Sequence, residues 1–260
     1  MEHLDEIKIS KAIIKTYTDK LLKNLELEVA IVGAGPSGMT CGYYLAKEGK
    51  KVAIFERKLS VGGGMWAGGI LFNQIVVQKK AKEILDELGI NTSLFEKNYY
   101  VADAVEAVST LCSKAVKAGV KIFNGLSAED VLIRNNRICG LVLNWSAVEM
   151  AGLHVDPISI KAKFTVDATG HAAEIVHIVE KKSKIKLKTK TSKILGEGSM
   201  WVELAEETIV KNSKEVASGL YTCGMSSNTV FGGPRMGPIF GGMLLSGKKV
   251  AFELLKRLSY

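Results

Sequence analysis

Residues 28–38 of the chain read EVAIVGAGPSG, and this stretch decides the fold. Its first five residues are mostly apolar and include β-branched side chains, which predicts a short buried strand. The glycines that follow form a turn, and the residues up to about 48 predict a helix that Gly49 ends. A second apolar stretch, 51–56, predicts the next strand. A strand, a turn, a helix and a strand within about 30 residues make a βαβ unit, which builds a parallel sheet.

The spacing of the glycines indicates a dinucleotide ligand. Gly33 permits the tight turn, Gly35 lets the backbone approach a pyrophosphate, and Gly38 allows the helix to pack closely on the strand. The second strand ends at Glu56, whose carboxylate can accept hydrogen bonds from ribose hydroxyls and would repel a 2′-phosphate. We therefore expect an adenosine diphosphate compound such as NAD or FAD, rather than NADP.

Hydrophobic spacing predicts further elements along the chain. An amphipathic helix over 5–24 is expected to lie on the domain or on a partner subunit. Helices are also predicted over 79–89, 103–118 and 242–258, strands over 120–123, 164–167 and 220–224, and a hairpin over 128–142 that turns at Asn135-Asn136. Without a repeat or a linker, residues 1–260 are expected to form one domain. The predicted fold is α/β and Rossmann-like, a dinucleotide-binding fold of the glutathione-reductase type. It has a central parallel sheet flanked by helices and a small β insert.

The composition excludes several classes of protein. The chain has 260 residues, of which 47% are hydrophobic, and this is enough for a substantial core. The net charge is 35 − 27 = +8, and seven lysines fall within residues 181–193. That segment has no interleaved aromatic or arginine side chains, so it predicts a solvated segment rather than a nucleic-acid site.

The cysteines and the first residues indicate the compartment. The four cysteines are far apart and form no CxxC pair, which is typical of reduced thiols rather than of a zinc or disulfide framework. Residues 1–6 are acidic and lack the basic start and apolar stretch of a secretory signal. No apolar stretch approaches the roughly 20 residues that span a bilayer. We expect a cytoplasmic protein without a membrane partner.

A candidate metal site lies in the second half of the chain. Residues 148–157 read VEMAGLHVDP and contain His154 and Asp156, and His171 follows in DATGH. Imidazole and carboxylate together suit a divalent transition metal such as iron. No HxH or HExxH spacing supports the group, so each residue could instead be a loop histidine or a turn aspartate. So few protein ligands would leave open positions, as catalysis requires, and chemistry on the nucleotide itself becomes plausible.

Arg235 lies in a second glycine-rich loop, GGPRMGP over 232–238, which precedes the last helix. A guanidinium beside a nucleotide cleft can hold a small carboxylate through two hydrogen bonds. The alternative is a surface arginine in a salt bridge. Flavin enzymes of the glutathione-reductase type have a similar turn and helix here, so an FAD-dependent oxidoreductase stays open. His177, in an apolar stretch, is interpreted as a core or surface histidine rather than a ligand.

These motifs together resemble the thiamine thiazole synthase family, which makes the thiazole half of thiamine from NAD and glycine. The resemblance extends over the whole chain and depends on VGAGPSG, GGGMW, VEMAGLHVDP, DATGH and GGPRMGP. For the adenosine diphosphate part, the resemblance implies binding by Ser37, Glu56, Arg57 and Gly64. It implies that the backbone at Val131 contacts adenine and that Met225 lies beside the ligand. It further implies that Asp156 and His171 bind iron(II) and that Arg235 holds the glycine carboxylate. It also implies a homo-octamer, with Asp156 reaching into a neighbouring subunit's site.

One departure from the family pattern concerns the sulfur source. Single-turnover members carry, at the position of His154, a cysteine that donates its own sulfur. Since histidine has no sulfur, the chain resembles the branch that takes sulfide from solution and turns over repeatedly. The resemblance implies conversion of NAD, glycine and sulfide to an ADP-linked thiazole carboxylate, with release of nicotinamide. His154 is a candidate proton shuttle. A ribose-phosphate isomerase is a further alternative, because a carbonyl migrates along the opened ribose in this reaction.

Overall fold

The computed structural model describes residues 4–259. Its helices are α1 (Glu6–Leu22), α2 (Pro36–Lys47), α3 (Lys79–Leu88), α4 (Ala104–Ala118), α5 (Ser146–Met150), α6 (Glu174–Lys182), α7 (Val202–Asn212), α8 (Met225–Phe231) and α9 (Gly241–Leu258). Its strands are β1 (Glu26–Val32), β2 (Val52–Glu56), β3 (Gln74–Val77), β4 (Ser93–Glu96), β5 (Tyr99–Asp103), β6 (Lys121–Asn124), β7 (Leu126–Arg134), β8 (Arg137–Trp145), β9 (Ile158–Asp167), β10 (Glu215–Ala217) and β11 (Leu220–Thr222).

The central sheet has the strand order β10-β11-β9-β1-β2-β6. Strands β11, β9, β1, β2 and β6 are parallel to their neighbours in this order, and β10 is an antiparallel edge strand. The β7–β8 hairpin joins the sheet through antiparallel pairing of β8 with β9. The predicted parallel sheet is confirmed. Because parallel strands end at one edge, the loops after β1, β2, β9 and β11 meet there.

A second, smaller sheet forms the predicted β insert. Its three antiparallel strands have the order β3-β5-β4. The chain enters this sheet after the glycine-rich segment that follows β2, and it leaves β5 directly into α4.

The core lies on both faces of the central sheet. Val29 and Ile31 of β1 pack with α2, α4 and α9 on one face. Ala30 and Val32 pack on the other face with the hairpin and α6. This alternation follows from the two-residue period of a strand. The helices and the hairpin therefore hold the turn after β1 from opposite sides.

Helix α1 forms as predicted, but the domain covers little of it. None of its residues is buried, and Ile7, Ile13 and Ile14 are each more than 60% exposed. Contact is made near its end, where Tyr17 meets the Phe123 ring edge-on and Lys20 Nζ donates to the Ile122 carbonyl at 2.7 Å.

Two expectations about the surface can be compared with the structure. All seven lysines of residues 181–193 are exposed, as predicted for a solvated segment. Within residues 4–259, no helix combines the length and the apolar character needed to cross a membrane.

Candidate active site

A cavity of about 1140 Å³ opens at the edge of the sheet where the parallel strands end. Its walls come from the loops after β1, β2 and β9, from the start of α8 and from the loop before α9. Nine of the residues singled out from the sequence line it: Gly33, Gly35, Ser37, Glu56, Arg57, Gly64, His171, Met225 and Arg235.

The glycine turn after β1 has the geometry that a pyrophosphate requires. Gly33 has φ +100°, and a Cβ there would lie 2.4 Å from the Ala168 carbonyl oxygen, so no other residue fits. A Cβ on Gly38 would lie 2.1 Å from the Gly33 oxygen, because α2 packs directly on the turn. A Cβ on Gly35 would meet nothing within 4 Å, and this residue faces the cavity. The first-turn N–H groups of α2 lack helical acceptors and can bind a phosphate.

Glu56 is fixed across the mouth of this turn. Its Oε2 accepts a hydrogen bond from Ala34 N at 2.8 Å, and its Oε1 accepts one from Lys58 N at 2.9 Å. Each carboxylate oxygen has a second lone pair, which stays available to a ribose hydroxyl.

Arg57 is paired with a residue that the sequence did not indicate. Its Nη1 donates to Glu174 Oε1 at 2.6 Å, which connects the end of β2 to the start of α6. Burial raises the pKa of Glu174, and the Arg57 guanidinium acts in the opposite direction. The pair restricts the guanidinium at the cavity wall.

The loop that carries His171 is organised by Asp167, the last residue of β9. Asp167 Oδ1 accepts hydrogen bonds from the Thr169 N–H and hydroxyl, and Oδ2 accepts from the N–H groups of Ile175 and Val176. The carboxylate thus satisfies two donors at the start of α6. Burial raises the pKa of Asp167, and these hydrogen bonds act against that effect.

The His171 side chain is held on one ring nitrogen. Its Nδ1 lies 2.8 Å and 3.1 Å from the two carboxylate oxygens of Glu197. The His171 carbonyl accepts a hydrogen bond from Thr229 Oγ1 of α8 at 3.0 Å. Within the part of the chain that the structure describes, Nε2 has no hydrogen-bond partner. That nitrogen is available to a ligand.

Arg235 also lines the cavity. Its N–H donates to the Gly198 carbonyl at 3.0 Å, and its own carbonyl accepts from Trp201 N at 3.2 Å. Its side chain is exposed and makes no ion pair with any residue between 4 and 259. Among the described residues, no acidic side chain forms the salt bridge that was the alternative interpretation of Arg235.

Four of the predicted site residues do not line this cavity, and one of them is Gly38, which packs α2 on the turn. His154 and Asp156 are exposed in the segment 151–157, after α5. Val131 lies on β7 outside the lining, and its N–H donates to Asp130 Oδ1 at 2.8 Å. In the described chain, no three His, Cys, Asp or Glu side chains converge on a metal site. A single protomer supplies His171 without Asp156.

Glu174 and Met200 line the cavity but carry no signal in the sequence. His177 also lines the cavity and is exposed at its wall, in agreement with a surface histidine. No cysteine is among the lining residues, although all four lie in the described chain. Burial raises the pKa of Cys223 to about 12.

The fold and the cavity together define an α/β protein with a Rossmann-like fold, in which an imidazole and a guanidinium line one cavity. The model of the Thi4 family matches residues 10–240, and the chain belongs to this family.

Similar proteins cover essentially the whole chain. A thiamine thiazole synthase of Methanothermobacter thermautotrophicus is 58% identical over 255 residues, which cover 98% of this chain and 99% of that protein. One from Pyrococcus furiosus is 57% identical with the same coverage. A crystal structure of Thermovibrio ammonificans THI4 superposes with a TM-score of 0.98 at 55% identity, and covers 99% of this chain and 100% of that one.

Proposed function

We propose that this chain is a thiamine thiazole synthase that converts NAD, glycine and sulfide to an ADP-linked thiazole carboxylate, releasing nicotinamide and water. The proposal rests on relatives of that name, which are 57–58% identical to this chain over 98% of its length. The cavity also supports the proposal, because the glycine turn after β1 lines it together with His171 and Arg235.

NAD is held by its adenosine diphosphate half in this proposal. The first turn of α2, with Ser37, binds the pyrophosphate, and Glu56 accepts hydrogen bonds from the ribose. Arg57, restrained by Glu174, binds the adenosine side in this proposal, and Gly64 and Met225 also line the cavity. The backbone near Val131 is the proposed adenine contact. Binding one end of NAD rigidly leaves the nicotinamide ribose to react.

Glycine is bound through its carboxylate by Arg235. The guanidinium has no acidic partner among the described residues, and the backbone hydrogen bonds to Gly198 and Trp201 fix the loop that carries it. Water replaces nicotinamide on the ribose, and the resulting hemiacetal opens to an aldehyde. The glycine amine condenses with it as an imine and loses water. Proton shifts then move the carbonyl along the sugar chain, sulfide adds, and ring closure releases further water.

The residues present fit iron(II). Glu197 occupies Nδ1 of His171, which leaves Nε2 as a ligand, and imidazole with carboxylate suits this metal. Asp156 is the proposed second ligand, contributed by a neighbouring subunit of a homo-octamer, since it is exposed and lies outside its own cavity. When bound, the metal would supply a Lewis acid that stabilises negative charge on the substrate.

Sulfide is the proposed sulfur source. His154 has no sulfur to donate, no cysteine lines the cavity, and Cys41 and Cys223 are fully buried thiols whose pKa burial raises. His154 is the proposed proton shuttle, and it reaches the reacting atoms from the same segment as Asp156. An unchanged sulfide-dependent rate in a His154→Ala variant would refute that role.

The flavin alternative is weakened at the start of α9. A flavin enzyme of the glutathione-reductase type would use this helix terminus to meet its cofactor. Here the Gly242 N–H in the first turn donates to Glu206 Oε2 at 2.8 Å. Because this first-turn donor already has an acceptor, it is not available to the phosphate of a flavin cofactor.

The decisive experiment is anaerobic incubation of the purified protein with NAD, glycine, sulfide and ferrous iron, followed by mass analysis. We expect many equivalents of the ADP-linked thiazole carboxylate per chain, with the protein mass unchanged. Omitting sulfide should stop the reaction. A visible flavin absorbance band in the purified protein, or no thiazole product over many turnovers, would refute the proposal. Turnover of a ribose phosphate without NAD, glycine and iron would favour the isomerase.

A further inference from the structure

Glu197 is the residue that the sequence did not indicate and that contacts a proposed metal ligand. Both of its carboxylate oxygens lie within 3.1 Å of His171 Nδ1, although the two residues are 26 positions apart. Its side chain is only 24% exposed, whereas that of His171 is 49% exposed. The partial burial of Glu197 and the approach of both carboxylate oxygens to one ring nitrogen distinguish this contact from a solvent-exposed surface pair.

The backbone around Glu197 is fixed on both sides. Leu195 N donates to the Val230 carbonyl at 3.2 Å, and Gly198 N donates to the Gly233 carbonyl at 2.9 Å. Gly196 has φ +81°, a conformation that suits glycine and directs the chain at this point. The carboxylate is therefore presented to His171 by a backbone that is itself hydrogen-bonded to the loop before α9.

We propose that Glu197 is a positioning residue that accepts a hydrogen bond from the Nδ1–H of His171 and thereby directs Nε2 into the cavity as a metal ligand. The inference rests on the proposed function, because it assumes a metal at that nitrogen. Ligating histidines generally donate their second N–H to a carboxylate or a carbonyl, which fixes the tautomer and the ring orientation. The described contacts give His171 this arrangement.

The same backbone segment connects two sides of the site. Gly198, next to Glu197, accepts the Arg235 N–H at 3.0 Å. Glu197 orients the imidazole, and its neighbour holds the residue proposed to bind the glycine carboxylate. The segment 195–201 therefore sets the spacing between the metal ligand and the glycine-binding guanidinium.

The test compares Glu197→Ala and Glu197→Gln with Glu207→Ala, an exposed glutamate of α7, as the matched control. Each assembled protein is titrated anaerobically with ferrous iron and, for its visible spectrum, with cobalt(II). NAD binding and the thermal midpoint are measured in parallel. We expect Glu197→Ala to weaken metal affinity about 10–100-fold and to change the cobalt spectrum. Glu197→Gln should fall in between, because its amide oxygen can still accept a hydrogen bond from the Nδ1–H. NAD binding should match the control.

Each other outcome has a defined meaning. Equal metal affinity in wild type and Glu197→Ala would overturn this inference and leave the proposed function intact. Parallel loss of NAD binding and metal affinity in both Glu197 variants would indicate a merely structural role and would also overturn it. If the wild type itself binds no ferrous iron and makes no thiazole, the proposed function fails first.

Discussion

At the residue scale, Arg235 gives a direct test of substrate binding. Replacing it with lysine keeps the charge but removes the planar pair of N–H donors that fits a carboxylate. A charge-assisted hydrogen bond contributes about 1.5–3 kcal/mol, so the KM for glycine should rise by roughly 10–100-fold. NAD binding should not change. Arg134→Lys on the exposed hairpin turn is the control. An unchanged KM for glycine would exclude Arg235 as the carboxylate ligand.

Glu206 determines a pH dependence of stability. Burial raises its pKa to about 7, while hydrogen bonds from Gly242 N and Gln78 act in the opposite direction. In the unfolded chain its pKa has the ordinary value near 4.5. The native state therefore binds the proton more tightly, and the free energy of unfolding falls as pH rises from about 4.5 to 7, by at most about 3 kcal/mol.

The variant Glu206→Gln should remove this loss. Glutamine keeps an oxygen for the Gly242 N–H and carries no charge to desolvate. We compare the thermal midpoint of the variant with that of the wild type at each pH. The variant should gain a few degrees more over the wild type at pH 8 than it does at pH 5. Glu207→Gln, exposed on the same helix, should show no such change. A difference that is the same at both pH values would contradict the assignment.

The sequence predicts cavity-lining residues where their position follows from a local pattern. Gly33 and Glu56 lie at the ends of strands in one βαβ unit, so their spacing alone places them at one edge of the sheet. Glu197 lies in a segment without regular structure, and only folding brings it to His171. Glu174 meets Arg57 across 117 positions for the same reason. Such contacts leave no periodic signal in the chain.

At the scale of elements, Asp167 couples the end of β9 to the start of α6. Asp167→Asn preserves the size of the side chain, but it replaces one acceptor oxygen with an NH₂ group. That group would face N–H donors whose hydrogen bonds the carboxylate now accepts. Leaving buried donors unsatisfied costs about 1–3 kcal/mol each, so we expect a loss of about 3 kcal/mol in stability. Amide exchange at Ile175 and Val176 should accelerate. The control is Asp86→Asn, an exposed aspartate of α3. Unchanged exchange at these two amides would contradict the capping role.

The elements that were predicted differ physically from those that were missed. The hairpin turn at Asn135 and Asn136 has φ of +51° and +57°, a conformation that asparagine tolerates, and this made the turn readable. Helix α8 is buried over six of its seven residues, most of them polar, so it shows no amphipathic period. Strand β4 is exposed at all four positions and therefore shows no alternation. Hydrophobic periodicity therefore fails to predict an element that is buried on all sides or exposed on all sides.

At the scale of the whole molecule, large apolar side chains are exposed in two places, in and beside the segment that carries Asp156 and on α1. Met150 is 87% exposed, Leu153 62% and Val155 45%. Ile13 and Ile14 of α1 are also exposed, at 63% and 65%. Exposed apolar patches of this kind mark protein–protein contacts. Since the cavity of one protomer contains His171 but lacks Asp156, the proposed metal site needs a second copy of the chain.

This sharing can be tested by complementation between inactive variants. Asp156→Ala and His171→Ala should each be inactive alone, because each removes one proposed ligand. When the two chains are co-expressed, a mixed pair contains one site with both ligands intact, and random pairing restores about a quarter of the wild-type activity. Co-expression of His171→Ala with Arg235→Ala should restore none, because these residues line one cavity and every site then lacks one of them. No activity in the first mixture would show that each protomer builds its metal site alone. Activity in the second mixture would show that the His171 and Arg235 of one site come from different protomers.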